Sequence, residues 1–146
     1  PVPEVDDFLI PICVAHITRP CMDVTILTFG KMVHVCLNAA AELEKMGVDA
    51  EVIDLRSLRP IDYDTIIESI KKTNRCIVVE ETWPLASFSG ELTYMIQKRA
   101  FDYMDSPVVR VTGRDTPVAF SQSLVDAFLP NVKRIVDAVN TVTYRV

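Results

Sequence analysis

Residues 48–62, V-D-A-E-V-I-D-L-R-S-L-R-P-I-D, limit the possible fold of this chain more than any other stretch. The apolar run around Val52 and Ile53 is too short and too β-branched for a helix, so we predict a buried strand. Gly47 is suited to end a helix before the strand, and Asp62 is suited to cap a helix after it. A helix, a strand, a charged loop and a second helix form the repeating unit of an α/β fold.

The same alternation of β-branched runs and helical apolar spacing continues along the chain. Further strands are predicted at residues 15–18, 24–29, 76–79 and 108–111. Helices are predicted at residues 32–46, 62–73 and 89–104, with a short helix capped by Ser121 and a last helix opened by Pro130 and Asn131. We therefore predict one α/β domain, a three-layer α/β/α sandwich on a mostly parallel sheet.

The pattern also predicts several details. Pro11 cannot donate to a strand ladder, so residues 8–12 are expected to be an extended edge segment. Helical spacing places Met46 and Tyr103 on the inward faces of their helices. The strand at 108–111 is expected to be central, with Val109 buried.

Composition limits the partners of the domain. With 146 residues and 49% hydrophobic content, the chain can bury a full core. Its 20 acidic against 15 basic residues give a net charge of −5, which argues against nucleic acid or an anionic membrane and favours a basic protein partner. No apolar run approaches the roughly 20 residues that span a bilayer. Residues 1–7, P-V-P-E-V-D-D, are predicted to be a linker, so we expect the C-terminal part of a longer protein.

No catalytic, cofactor-binding or metal-binding residue is predicted in this chain. Its 4 glycines are too scattered to form G-x-G-x-x-G or G-x-x-x-x-G-K, and no G-x-S-x-G is present. The 4 cysteines contain no C-x-x-C pair and are expected to be free thiols.

Charged residues are concentrated where predicted strands end. Glu80 and Glu81 are neighbours on an extended segment and point to opposite faces, so at most one enters any site. They are therefore expected at an interface or in solvent. Arg56 and Arg59 either pair with nearby acids of the same loop or contact another domain, and both alternatives remain open.

A receiver-like signalling or binding module is an alternative from another functional class. Asp54 ends a predicted central strand, where a receiver domain carries its phosphoacceptor aspartate. That chemistry also needs an acidic pair after the first parallel strand and a lysine after the last one. The chain has Phe29-Gly30 and Thr112-Gly113-Arg114 at those two places.

Several stretches together resemble one known family. They are D-F-L-I-P-I, D-V-T-I-L-T-F-G, E-V-I-D-L-R-S-L-R-P-I-D, V-V-E-E-T-W-P and D-S-P-V-V-R-V-T-G-R-D-T-P. The chain resembles, from Asp7 to the last helix, the C-terminal domain of pyruvate dehydrogenase E1 β subunits, in the transketolase C-terminal domain family. The W-P and V-R-V-T-G-R-D-T-P phrases are more similar to the pyruvate enzymes than to their branched-chain 2-oxoacid relatives, which remain the alternative. Cys13 stands where a glycine is usual, and residues 118–120 replace a more proline-rich stretch.

The resemblance implies a five-stranded mixed sheet whose first short strand is antiparallel to the others. It implies that thiamine diphosphate and Mg²⁺ are bound by other domains of E1, so that this chain alone is not catalytic. The implied compartment is the mitochondrial matrix, or the cytoplasm of a bacterium.

The implied partners are the E1 α subunit, a second E1 β subunit and the basic subunit-binding domain of the E2 acyltransferase. Asp105 and the C-terminal carboxylate of Val146 match positions that meet E2 in this family. The residues expected at the subunit or domain interface are Arg56, Arg59, Glu80 and Glu81.

Overall fold

The β-branched runs of the sequence form one sheet, with helices on both of its faces. The structure, a computed structural model, describes residues 8–145, so the predicted linker at residues 1–7 lies outside the described part. The strands are β1 (His16–Arg19), β2 (Val24–Thr28), β3 (Ala50–Asp54), β4 (Cys76–Val79) and β5 (Val109–Val111). The helices are α1 (Met32–Lys45), α2 (Tyr63–Thr73), α3 (Phe88–Ala100), α4 (Gln122–Phe128) and α5 (Val132–Val142).

The strands lie in the order β1-β3-β2-β4-β5. β1 pairs antiparallel with β3, with His16 opposite Asp54, and the other neighbouring strands are parallel. The predicted mixed sheet with an antiparallel first strand is therefore confirmed. The prediction of a central strand at 108–111 was wrong, because β5 pairs with β4 at an edge, and Val109 is only half-buried there.

Side-chain alternation along the strands divides the core into two layers. Ile26 and Val52 face one cluster, which α1 and α5 cover. Leu27 and Ile53 face the opposite cluster, which α2 and α3 cover. Parallel strands buried on both faces explain why their sequences are almost continuously apolar.

Two helix ends differ from the prediction for local reasons. α3 stops at Ala100, and a 3₁₀ turn follows at Phe101–Tyr103. Tyr103 is exposed, contrary to the prediction, and its carbonyl accepts from the Asn74 side-chain amide at 2.7 Å. Met46 is also exposed, since it lies at the end of α1, just before Gly47 with φ +74°.

Residues 8–12 do not form an edge strand, and their side chains are exposed. The described helices include none long and apolar enough to cross a membrane.

Candidate docking and interface sites

Asp105 lies in the loop between α3 and β5, at the amino ends of the parallel strands. Its backbone N–H donates to the Asn74 carbonyl at 2.8 Å. Asn74 can turn the chain toward it because this residue ends α2 in the left-handed conformation, with φ +59°, which asparagine tolerates. The Asp105 side chain remains 54% exposed. The predicted docking acid is therefore both accessible and held by the end of a neighbouring helix.

Arg75 is the charged neighbour of Asp105. Its Nη2 lies 3.1 Å from Asp105 Oδ2, and its side chain is 30% exposed. The Arg75 Nε is buried and has no hydrogen-bond partner within residues 8–145. The ion pair with Asp105 is therefore the main contact of this guanidinium inside the described chain.

Tyr144, near the end of the described chain, is hydrogen-bonded to Asp105. Its hydroxyl donates to the Asp105 carbonyl at 2.9 Å, although the two residues are 39 positions apart. Val146, the other predicted docking residue, lies outside the described residues. We call Asn74, Arg75, Asp105 and Tyr144 the docking corner.

Two open concavities border the docking corner. One has a volume of about 250 Å³ and is lined by Gln97, Phe101, Met104, Asp105, Ser106 and Pro107. The other has a volume of about 510 Å³ and is lined by Asp137, Asn140, Thr141, Tyr144 and Arg145. Partner side chains have room beside Asp105 in the first concavity and beside Tyr144 in the second.

Arg56 and Arg59 lie at the opposite end of the strands, in the loop between β3 and α2. Both side chains are exposed. Neither guanidinium forms an ion pair with Asp54, Asp62 or another acid in the part of the chain that the structure describes. Asp54 instead accepts from the Arg56 backbone N–H at 3.0 Å. The predicted ion pairs of Arg56 and Arg59 with acids of their own loop are therefore absent from the described residues. An interface role for these two arginines stays a prediction.

Asp62 caps α2, as predicted. Its Oδ1 accepts from the Thr65 N–H at 3.1 Å, and its Oδ2 accepts from the Ala15 N–H at 3.0 Å. Burial acts to raise the pKa of this carboxyl, but the hydrogen bonds from Thr65 and Ala15 outweigh burial and lower the pKa below its ordinary value. The cap therefore favours the ionised carboxylate.

Glu80 and Glu81 follow β4 and differ sharply in exposure. Glu81 is exposed and remains available to a partner. Glu80 is fully buried, and its Oε1 accepts from the Ser89 N–H in the first turn of α3 at 3.1 Å. Glu80 therefore offers no surface to another domain, contrary to the prediction. A strand-end acid placed before a helix start has an internal use, because a carboxylate satisfies the unpaired first-turn amides.

The predicted site residues do not form one site. Asp105 lies at the amino ends of the strands, whereas Arg56, Arg59 and Glu81 lie at the carboxyl ends; we call these last three the carboxyl-end charges. The two groups are separated by the length of the sheet.

The cysteines carry no sign of redox or metal chemistry. All of them are free thiols in the structure. Burial, followed by a hydrogen bond with Asp49, raises the pKa of Cys21 to about 11, and burial raises the pKa of Cys36 to about 12. Residues 8–145 contain no cluster of His, Cys, Asp and Glu side chains that could hold a metal ion.

A buried polar network around Glu51 was not predicted from the sequence. This carboxylate is fully buried and accepts from the Ser69 hydroxyl and the Lys72 ammonium, and from the Cys21 N–H at 3.1 Å. Thr25 extends the network to Ser69 at 2.6 Å. One sequence feature could have indicated this network: Glu51 is an acid inside a strand that was predicted to be buried. A buried carboxylate requires hydrogen-bond or ionic partners.

Comparison with known proteins gives this geometry a family. The model of the transketolase C-terminal domain matches residues 14–135. The chain is 44% identical over 144 residues to the pyruvate dehydrogenase E1 component subunit beta of Rhizobium meliloti, covering 99% of this chain and 31% of that protein. The mitochondrial E1 component subunit beta of Dictyostelium discoideum is 41% identical over 95% of this chain and 39% of its own length. The beta subunit of acetoin:2,6-dichlorophenolindophenol oxidoreductase from Bacillus subtilis is 43% identical over 92% of this chain and 39% of its own length.

A solved structure agrees with these relatives. It is a split-gene transketolase, described as an inactive beta4 tetramer, with a TM-score of 0.80 and 27% identity over 98% of this chain and 46% of that one. This chain spans less than half the length of each protein compared here. The family model covers most of the described residues, and the chain belongs to the transketolase C-terminal domain family.

Proposed function

We propose that this chain is the C-terminal domain of the β subunit of a thiamine-diphosphate-dependent pyruvate dehydrogenase E1. In this proposal the domain has two roles: it supports assembly of the α2β2 heterotetramer, and it docks the E2 acyltransferase. The observation that carries the proposal is the 44% identity to an E1 β subunit over 99% of the chain. The enzyme converts pyruvate and passes an acetyl group to E2. The domain acts in this conversion by holding E1 to E2.

Docking is assigned to Asp105 and to the carboxylate of Val146. An acidic domain attracts a basic partner over a distance, and a complementary contact then fixes its position. Asp105 supports this role because it is exposed while its main chain is bonded to Asn74 and Tyr144. Little rearrangement is then needed when the basic partner binds.

Assembly is assigned to the carboxyl-end charges. In an open parallel sheet, the carboxyl ends of the strands are the usual meeting point with ligands and other domains. The proposed partners of these charges are the E1 α subunit and the second E1 β subunit. Exposed guanidiniums suit such contacts because they form bidentate bonds with carboxylates.

Thiamine diphosphate and Mg²⁺ are assigned to other domains of the enzyme. Phosphate cradles need closely spaced glycines before a helix, and the 4 glycines of this chain are widely separated. The chain therefore contributes no group to the reaction itself. Its relatives include both bacterial and mitochondrial proteins, and the mitochondrial matrix remains the proposed compartment.

A second candidate substrate is acetoin, because the Bacillus subtilis relative is 43% identical over 92% of this chain. The branched-chain 2-oxoacids are a further alternative from the sequence motifs. The choice among these substrates is assigned to the domains that hold the cofactor. Turnover of the complete E1 with pyruvate, acetoin and a branched-chain 2-oxoacid decides it.

The docking role is tested by titrating the complete E1 heterotetramer with the E2 subunit-binding domain. Asp105→Ala is expected to weaken binding at least tenfold, about 1.4 kcal/mol, with little change in melting temperature. Asp102→Ala is the matched control, since it removes another exposed acid, from the 3₁₀ turn just before the Asp105 loop. Equal affinities of wild type and Asp105→Ala would show that Asp105 is an ordinary loop residue.

A further inference from the structure

The Asp105 carboxylate is already paired within the chain, although we assign it to a partner. Arg75 Nη2 lies 3.1 Å from Asp105 Oδ2, and both side chains retain access to solvent. No other cation lies within salt-bridge distance of this carboxylate in the described residues. A basic partner therefore meets a carboxylate whose charge is partly balanced before docking.

We propose that Arg75 is an internal counter-ion that competes with the basic partner for Asp105 and thereby limits docking. This inference rests on the proposed docking function. In the free protein Arg75 balances the exposed acid. In the complex the partner's cation must share the carboxylate with Arg75 or displace it.

Two opposing effects decide whether Arg75 strengthens or weakens docking. A partner cation on Asp105 lies roughly 6 Å from the Arg75 guanidinium, and repulsion at that distance, once screened by water and salt, weakens binding about three- to tenfold. Arg75 also restricts the rotamers of Asp105, which favours binding. For a side chain as short as aspartate this gain is on the order of twofold. Repulsion is the larger effect, so Arg75 weakens docking overall.

Competition by Arg75 also favours one kind of partner. A single lysine or a small cation gains little from a carboxylate that is already paired. A partner with several basic groups gains from long-range attraction to the acidic domain, and a guanidinium can replace that of Arg75 bidentately. The corner therefore selects a basic protein surface with arginine at its centre.

The main-chain hydrogen bonds of Arg75 do not depend on its charge, and the melting temperature of each variant checks that the fold is kept. The structural contacts of Arg75 are made by its backbone carbonyl, which accepts from the Thr25 N–H at 2.9 Å and from the Thr73 hydroxyl at 3.1 Å. Arg75→Gln keeps these main-chain contacts and removes the charge. Lys71→Gln is the matched control, because Lys71 also lies at the end of α2 but pairs with Glu68 at 2.7 Å.

The experiment measures binding of the E2 subunit-binding domain to the E1 heterotetramer carrying each variant, at low and at high salt. Arg75→Gln is expected to tighten binding about three- to tenfold at low salt, and the gain shrinks as salt rises. Lys71→Gln is expected to change affinity less than about twofold, because its charge is balanced by Glu68. In the Asp105→Ala background, Arg75→Gln is expected to have a clearly smaller effect, because the partner's cation is then no longer held next to Arg75.

The outcomes separate this inference from the proposed function. If Asp105→Ala weakens binding but Arg75→Gln leaves it unchanged or weaker, the docking role stands and competition by Arg75 is refuted. If Lys71→Gln tightens binding as much as Arg75→Gln does, the effect is one of net charge, and the specific pairing is refuted. If wild type and Asp105→Ala bind equally, the docking role itself fails.

Discussion

The two ends of the parallel strands carry candidate sites that the protein holds in different ways. At the amino ends, the docking corner is connected by bonds among its own members, which come from three separate places in the chain. At the carboxyl ends, the carboxyl-end charges are exposed and form no ion pairs within residues 8–145. The docking corner is therefore held together within the domain, whereas the carboxyl-end charges have no ionic partner in the described residues.

This difference fits the two kinds of contact that we propose. A partner that docks and leaves gains affinity when the site is already ordered, since less freedom is lost on binding. A permanent subunit interface supplies partners for its charges as it forms, so the free domain need not balance them. The comparison therefore favours docking at the amino ends and assembly at the carboxyl ends.

The largest expected effect sharpens this comparison with two acids, one at each end. Glu51→Ala removes a buried carboxylate that accepts from Ser69, Lys72 and Cys21, and leaves these donors without it. It should lower the free energy of unfolding by about 3–5 kcal/mol. Glu81→Ala removes an exposed acid at the carboxyl ends and should change it by less than about 0.5 kcal/mol.

Urea unfolding of both variants beside the wild type measures these changes. Similar losses for the two variants would contradict the view that the buried Glu51 network stabilises the fold and that the exposed Glu81 does not. In the complete E1, by contrast, Glu81→Ala is expected to affect assembly of the heterotetramer more than Glu51→Ala affects it at equal folded concentration.

A smaller effect is expected at Asp62, an acid near the carboxyl ends of the strands whose side chain is hydrogen-bonded within the domain. Asp62→Ala removes the cap of α2 and the acceptor for the Ala15 N–H, and should cost about 1–2 kcal/mol at neutral pH. Because the folded state lowers the pKa of Asp62, this stabilisation is complete above the unfolded-state pKa near 4 and is lost as pH falls through the lower folded value.

The measurement is the unfolding free energy of wild type and Asp62→Ala between pH 2 and 7. The two curves should converge at the acidic end. Asp64→Ala is the matched control, because Asp64 lies in the first turn of the same helix but is exposed, and a dipole interaction alone gives about 0.3–1 kcal/mol. Curves that stay parallel down to pH 2 would mean that the ionised cap is not the cause.

The sequence predicted the sheet because local and tertiary preferences agree there. The β-branched runs at Val52 and Val78 are buried on both faces, so their side chains match both strand propensity and core packing. The edge position of β5 was missed, since strand order is not encoded in a single strand. The 3₁₀ turn after α3 was missed, and its Tyr103 carbonyl has a tertiary partner, Asn74, that no local pattern indicates.

The candidate sites were predictable only in part for the same reason. Asp105 came from the resemblance, and no local pattern marks it. Arg75 and Tyr144 were missed because their role comes from tertiary contacts to Asp105 across 30 and 39 positions. Glu80 was placed on the surface because the rule of alternation gives opposite faces but not which face is covered.

The smallest expected effect tests how the docking corner is held. Tyr144→Phe removes the hydroxyl that donates to the Asp105 carbonyl at 2.9 Å and keeps the ring. The bond is exposed, so its loss should cost about 0.5 kcal/mol of stability at most. Binding of the E2 subunit-binding domain should still weaken about two- to threefold, because Asp105 and Tyr144 are no longer joined by a hydrogen bond and more conformational freedom is lost on docking.

Tyr94→Phe is the matched control, since Tyr94 is 59% exposed on α3, close to the 66% of Tyr144, and lies outside the docking corner. Calorimetric titration of the heterotetramer with each variant measures both affinity and the entropy of binding. The loss for Tyr144→Phe should be entropic, and an affinity equal to that of Tyr94→Phe would show that the corner is rigid without its tyrosine.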